Sequence, residues 1–206
     1  MGSVELEPLE SDRVAARVAA ATVLGIDGSR LRVRELWRDA PTVTTFLRHY
    51  GCLFCHEMVA EVIRATPELI ERGARVVLVG NGSVEQAHRF FTAKGLPREG
   101  CTVVTDPERS SYQAAELERG FAKTFLNAGS QRAFRRARQD GHGISGWLGD
   151  LTQLGGTLVT RPPARLEYFH RSDFAGDHPD MSQVARAVDA AVRAHGTLAS
   201  FSAGSG

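Results

Sequence analysis

Cysteine is scarce in this chain, three in 206 residues. That is too few for a disulfide scaffold, and the odd count fits a reducing compartment better than secretion. Neither sign of charge is in excess: 25 Lys and Arg stand against 24 Asp and Glu, a net charge of +1. The balance removes the electrostatic reason to expect nucleic acid or an anionic membrane as partner. Long apolar runs are missing too, and none approaches the ~18–20 residues that cross a bilayer. The N-terminal stretch MGSVELEPLESDRV holds acids where a signal peptide would hold basic and then apolar residues. These absences predict a cytoplasmic protein with no nucleic-acid or membrane partner. With 42% hydrophobic residues and no compositional shift, the chain reads as one domain with a sizeable core. The expected division is a helical extension over 1–21, the domain over 22–197 and a flexible tail over 198–206.

What the sequence does have is concentrated between Thr42 and Val59, TVTTFLRHYGCLFCHEMV. A β-branched run from Thr42 to Leu47 reads as a strand, and Gly51 follows shortly after it. Cys52 and Cys55 come next at the spacing C-x-x-C. Behind them Met58, Val59, Val62 and Ile63 form one apolar face of a helix. The cysteines therefore stand where a strand turns into a helix. The first N–H groups of a helix have no internal partner and present partial positive charge, which favours a thiolate over a thiol. Arg48, His49 and His56 are further candidate cations. In a chain with a βαβ pattern, this arrangement reads as a thioredoxin-like redox motif, in which one sulfur attacks and the other closes a disulfide.

Three other readings fit the same residues. Two cysteines can simply fill core space. Cys52-Leu53-Phe54-Cys55-His56 matches C-x-x-C-H, the haem-attachment pattern, although a strand feeding directly into it is the wrong setting. Zinc needs four ligands, and only Cys101 is left to join the pair. The thiol reading calls for no metal and no bound cofactor.

The rest of the chain supplies a frame. Asp12 to Ala21 has helical periodicity, with Ser11 or Asp12 as cap. Thr22 to Ile26 and Leu31 to Val33, around Asp27-Gly28, predict a hairpin. Pro67 is expected to kink or restart the helix behind the cysteines, with Thr66 as a cap and Gly73 as the end. Arg75 to Gly80 is an apolar strand, Ser83 and Gln86 form a capping box for a helix through Ala93, and Cys101 to Thr105 is another strand. Asp106-Pro107 is expected to cap and start the next helix. Arg119 to Arg138 reads as a solvated amphipathic helix, and the glycines from Gly141 to Gly149 as a loose loop. Gly155 to Thr160 and Arg165 to His170 predict a second hairpin, Met181 to Ala194 the closing helix, and the residues from Gly204 a disordered end. Strand and helix alternate through the middle, so the class is α/β, a mixed sheet flanked by helices.

The segments FLRHYGCLFCHE, RVVLVGNG, TDPERSSYQA, LGGTLV and HRSDFAGDHP, in that order, resemble the peroxiredoxin-like branch of the alkyl hydroperoxide reductase and thiol-specific antioxidant family, within the thioredoxin superfamily. The resemblance spans nearly everything after Ala21. It implies a thioredoxin-like fold with an N-terminal hairpin extension. The activity implied is a thiol-based reductase of peroxides, disulfides or a related oxidised small molecule, regenerated by a thioredoxin-like or low-molecular-weight thiol, and often dimeric. A vertebrate relative of this branch is a prostaglandin F synthase. Two departures stand out. In the family's Thr-x-x-Cys register Cys52 takes the Thr place and Cys55 the peroxidatic one, whereas thioredoxins attack with the first cysteine. The family's arginine before the late hairpin strand has no counterpart near Gly155, which leaves Arg48 or Arg171 as donor. Cys52 is the expected nucleophile, since the first cysteine of C-x-x-C is normally the more exposed, and Cys55 the expected resolving thiol. Supporting candidates are Arg48, His56, His170 and Arg171. Cys101, His178 and Asp177 are expected to be structural. The alternative is a non-catalytic module that binds a small ligand or partner.

Overall fold

Apolar residues alternate sides along the central strands, and the layers of the molecule follow from that alternation. The computed structural model describes residues 8–119, 150 and 152–203. Among these, helix α1 (Pro8–Ala20) leads into a hairpin of β1 (Thr22–Gly25) and β2 (Arg30–Arg32), then a single turn α2 (Val33–Leu36). Strand β3 (Thr42–Phe46) is followed by α3 (Leu53–Glu71), β4 (Arg75–Gly80), α4 (Val84–Thr92), β5 (Cys101–Thr105) and α5 (Ser110–Ala114). A second hairpin, β6 (Gly156–Arg161) with β7 (Arg165–Arg171), precedes α6 (Met181–Ala203).

The strands form one sheet in the order β2-β1-β5-β4-β3-β6-β7. β3, β4 and β5 run parallel, and β1, β6 and β7 join antiparallel. Val43, Val76, Leu78, Val103 and Val159 face α3, α4 and α6. Phe46, Val77, Val79, Val104, Leu158 and Phe169 face α1, α2 and α5. Both faces are covered, which is why β3 and β4 are continuously apolar or β-branched rather than half polar.

Several boundaries move for identifiable reasons. α1 starts at Pro8 rather than Asp12, because proline suits the first helical position, where its missing N–H costs nothing. Val33 leaves β2 and opens α2, its N–H bonded to the Ala21 carbonyl at 3.0 Å. α3 passes through Pro67 without a break. Proline leaves the carbonyl four residues back without its helical partner, and Arg98 Nη2 bonds that Ile63 carbonyl at 2.5 Å. Thr66 is no cap; its hydroxyl bonds the Val62 carbonyl at 2.7 Å. Pro107 does not open α5, which begins at Ser110 behind Arg109 at φ 59°, while the Asp106 carboxylate reaches forward to the Ser111 N–H at 2.7 Å. The closing helix runs past Ala194 to Ala203. The basic stretch after Arg119, the glycine loop and the last residues lie outside the described residues.

The C-terminal end of β3 is tied down from below by Tyr112. This buried residue of α5 sets its ring edge-on to Phe46, with centroids 5.0 Å apart. Its hydroxyl stands 2.7 Å from the Leu47 carbonyl and 2.9 Å from that of Val79. Tyr112→Phe keeps the packing and deletes the donor, leaving buried carbonyls short of a partner at a cost of about 1–2 kcal/mol. The expected result is a lower urea midpoint with an unchanged slope, read by circular dichroism; an unchanged midpoint would remove Tyr112 from this role.

Candidate active site

The six residues between β3 and α3 carry most of the candidate chemistry, and their path is fixed at three points. Leu47 N–H bonds the Val79 carbonyl at 2.8 Å. Asn81 Nδ2 donates to the Arg48 carbonyl. Tyr50 folds back over the end of β4, its hydroxyl on Thr105 Oγ1 at 2.8 Å and its ring against Phe90 and Phe91. This seat exists because residues 80 and 82 are glycines: a Cβ on Gly80 would lie 2.0 Å from the Tyr50 hydroxyl oxygen.

So held, the loop delivers Cys52 as the N-cap of α3 and Cys55 into its first turn. Arg48 reaches both sulfurs. Its main-chain N–H donates to Cys55 Sγ at 3.2 Å, and its guanidinium Nη1 to Cys52 Sγ at 3.1 Å. Nε of the same group donates to the Gln153 carbonyl at 3.1 Å. Burial works against ionising Cys52, but hydrogen bonds from the Cys55 thiol and His49, with the charges of Arg48 and His49, more than offset it and hold this thiol well below its ordinary range. Cys55 moves the opposite way: burial first, then the bond to Cys52 and the charge there, push it well above. The two opposite shifts favour Cys52 over Cys55 as the thiolate of the pair. His49 is itself buried, and its Nδ1 has no hydrogen-bond partner among the described residues.

A small cleft opens beside the pair. Phe46, Phe54, Met58 and Pro179 make its lining largely apolar, Gly155 and Gly156 add bare backbone, and Arg48, Cys55, Asp177 and His178 line it too. Cys52 does not line it. The two cysteines are similarly buried, 5% exposed for Cys52 and 3% for Cys55, so exposure does not rank them.

The other expected residues fall in different places. His56 turns toward α4, its Nδ1 3.0 Å from Lys94 Nζ and its ring edge-on to Phe90. Burial lowers the Lys94 ammonium. His170 braces the loop that walls the cleft, its Nε2 3.6 Å from Asp177 Oδ1. Arg171 does not serve the sulfurs as a donor; it pairs with Glu116 at 2.9 Å and lies over the Phe169 ring. Of the two candidate donors, Arg48 is the one bonded to the sulfurs. His178, expected to be structural, lines the cleft and stands 3.6 Å from Glu61 and 4.0 Å from Glu57. Cys101 opens β5 level with Val76 and Val43, at the far end of the sheet from the pair, and burial raises its thiol to about 11. Gln153 and Asn81 carried no local signal; they matter through contacts with Arg48 across a separation in sequence of 105 and 33 residues. Among the described residues no three His, Cys, Asp or Glu side chains converge as a metal site, and no helix is long and apolar enough to cross a membrane.

The chain is similar to known proteins. The family model described as AhpC/TSA antioxidant enzyme matches residues 62–173, just over half of the chain and starting behind the two cysteines. Peroxiredoxin-like 2C of Homo sapiens is 28% identical over 88% of this chain and 83% of its own. Prostamide/prostaglandin F synthase of Salmo salar is 26% identical over 92% of this chain and 90% of its own. In fold the chain is similar to peroxiredoxin Q of Xanthomonas campestris, with a TM-score of 0.57 at 17% identity, covering 87% of this chain and 94% of that one. The sheet and its flanking helices have the thioredoxin and peroxiredoxin topology.

Removing the Arg48 cation favours the protonated form of Cys52, so its thiol is expected to become less acidic. A charge-assisted bond of about 1.5–3 kcal/mol corresponds to roughly tenfold to hundredfold in ionisation. Arg48→Met is therefore expected to slow iodoacetamide alkylation of Cys52 at neutral pH by at least about tenfold, with Arg48→Lys in between. Peptide mass spectrometry reads this directly, and equal rates in Arg48→Met and wild type would refute the assignment.

Proposed function

The chain belongs to the AhpC/TSA antioxidant enzyme family, and within it we propose a thiol-dependent oxidoreductase that reduces a peroxide, a disulfide or a related oxidised small molecule through Cys52 and Cys55. The observation that carries this reading is Arg48 bonded to both sulfurs, which stores one buried negative charge on a dithiol beside a cleft.

With a hydroperoxide, the Cys52 thiolate attacks the outer oxygen, the O–O bond breaks, and the alkoxide leaves as an alcohol after taking a proton. Cys52 becomes a sulfenic acid. The Cys55 thiol then attacks that sulfur, water leaves, and a Cys52–Cys55 disulfide closes. With a disulfide, the first product is a mixed disulfide and a released thiolate, and Cys55 expels the second thiol. In both cases two electrons pass from the dithiol to the substrate. A thioredoxin-like protein or a low-molecular-weight thiol returns them. No bound cofactor takes part.

One observation favours a second assignment of roles. The cleft reaches Cys55 and not Cys52. In that version the proton of Cys55 passes to the Cys52 thiolate, Cys55 makes the first bond, and Cys52 resolves. The walls of Phe46, Phe54, Met58 and Pro179 suit a substrate with an apolar body, in keeping with the name of the Salmo salar relative.

A brief peroxide pulse on wild type, Cys52→Ser and Cys55→Ser, followed by sulfenic-acid trapping and mass spectrometry, tests the proposal. A Cys52–Cys55 disulfide reversible by dithiol is expected in wild type, and sulfenic acid in Cys55→Ser alone. Sulfenic acid only in Cys52→Ser would assign the attack to Cys55. Thiols that stay reduced toward peroxides and disulfides alike would sink the oxidoreductase reading and leave a ligand-binding module.

A further inference from the structure

The Arg48 guanidinium is planar, with its donors fixed relative to one another. Where Nη1 points is therefore decided by what holds Nε, and Nε is held by the Gln153 carbonyl at 3.1 Å. That carbonyl stands three residues before the start of β6, outside the seven-stranded ladder. Its place is set by the side chain of the same residue. Gln153 is 1% exposed, and its Nε2 lies 3.3 Å from the Leu117 carbonyl, 3.2 Å from that of Glu118 and 3.0 Å from that of Leu154. Leu154 N–H adds a bond to the Glu118 carbonyl at 3.0 Å, and Arg119 bridges to Gln153. A buried amide is costly without partners, so this set of acceptors leaves residue 153 a single position. Gly155 completes the approach: a Cβ there would lie 2.4 Å from the Phe46 carbonyl oxygen, on the strand that leads to Arg48.

We propose that Gln153 is a positioning residue for the reactive thiol pair. Its side-chain amide locks residues 153–154 to 117–118 and so fixes the carbonyl that aims Arg48 at Cys52. The inference rests on the reading of Cys52 as the resident thiolate and on no particular substrate.

Gln153→Met keeps the length and removes the donor. The measurement is the pH profile of Cys52 alkylation by iodoacetamide in the full chain, with Cys101 alkylation as a monitor of the fold. Relative to wild type, Cys52 is expected to react about fivefold to tenfold more slowly at neutral pH and at the same rate at alkaline pH, where any thiol is ionised. Cys101 is expected to stay protected. In an Arg48→Met background the same substitution is expected to change nothing further, since both act on one bond. A Gln153→Met profile superimposed on wild type, or a full additional effect without Arg48, overturns the proposal while leaving the thiolate reading intact. An ordinary thiol profile in wild type itself would overturn both. Should Gln153→Met expose Cys101, nitrogen-15 spectra of wild type decide the matter. The Arg48 Nε proton is expected to exchange slowly and to show coupling to the residue 153 carbonyl carbon, and fast exchange with no coupling rejects the contact.

Discussion

A negative charge on the sulfur of a residue as buried as Cys52 needs a partner inside the protein. Arg48 is that partner, and much of the surrounding construction answers to it. The residue gives its main-chain N–H to Cys55, its guanidinium to Cys52 and its carbonyl to Asn81. Few side chains could do the same. A lysine offers a point charge, while the fork of an arginine can hold a backbone carbonyl and a thiolate at once. The helix N-terminus adds partial charge of the same sign but has no means of choosing between two sulfurs within its first turn. Hydrogen bonds from the Cys55 thiol and His49, together with the Arg48 guanidinium, favour Cys52 in that choice.

The loop could not present Arg48 in this way without a rigid seat. Tyr112 clamps the loop from one face of the sheet through the Leu47 and Val79 carbonyls. Tyr50 closes it from the other, against Phe90, Phe91 and the bare backbone of Gly80 and Gly82. Two tyrosines with buried hydroxyls thus sit on either side of the same stretch. Their burial raises both phenols above the ordinary range, so they remain neutral hydrogen-bond donors at any pH where the thiols ionise.

The α/β class, the strand entering C-x-x-C, the capping box at Ser83 and both hairpins were legible because each is written in a short window: a period, a turn pair or a cap. What the sequence hid were interactions that close over long separations. Nothing near Pro67 says that Arg98 will take the Ile63 carbonyl, so a kink was expected where the helix runs on. Asp106-Pro107 reads as a cap and first turn. The left-handed Arg109 moves the helix three residues later, and the Asp106 carboxylate still reaches the Ser111 N–H. In the candidate site, the cysteines and Arg48 announce themselves by adjacency. Gln153 reads as an ordinary loop amide, since its importance lies in carbonyls 35 and 36 residues earlier in the chain. Arg171 was a reasonable donor by sequence, but its strand register sets it opposite Gly156, where Glu116 takes its charge.

The missing arginine near Gly155 has a steric explanation that also accounts for Arg48. β3 and β6 are antiparallel neighbours with Phe46 opposite Gly156, so the residues just after Phe46 and just before Gly156 emerge side by side at the same end of the sheet. A cation for the sulfurs can come from either chain. Here the β6 side is closed to a side chain at residue 155, whose Cβ would meet the Phe46 carbonyl at 2.4 Å, and the stem of Arg48 passes the same point, its Cγ 3.8 Å away. The cation comes instead from Arg48, in the loop that follows β3. The change of strand has a chemical consequence. An arginine at residue 48 is four residues from Cys52 in the same chain, so its charge is delivered by the very loop that carries the sulfur. The acidity of the pair then depends on that loop holding its shape, and the carbonyl of residue 153 is one of the groups that hold Arg48 in place.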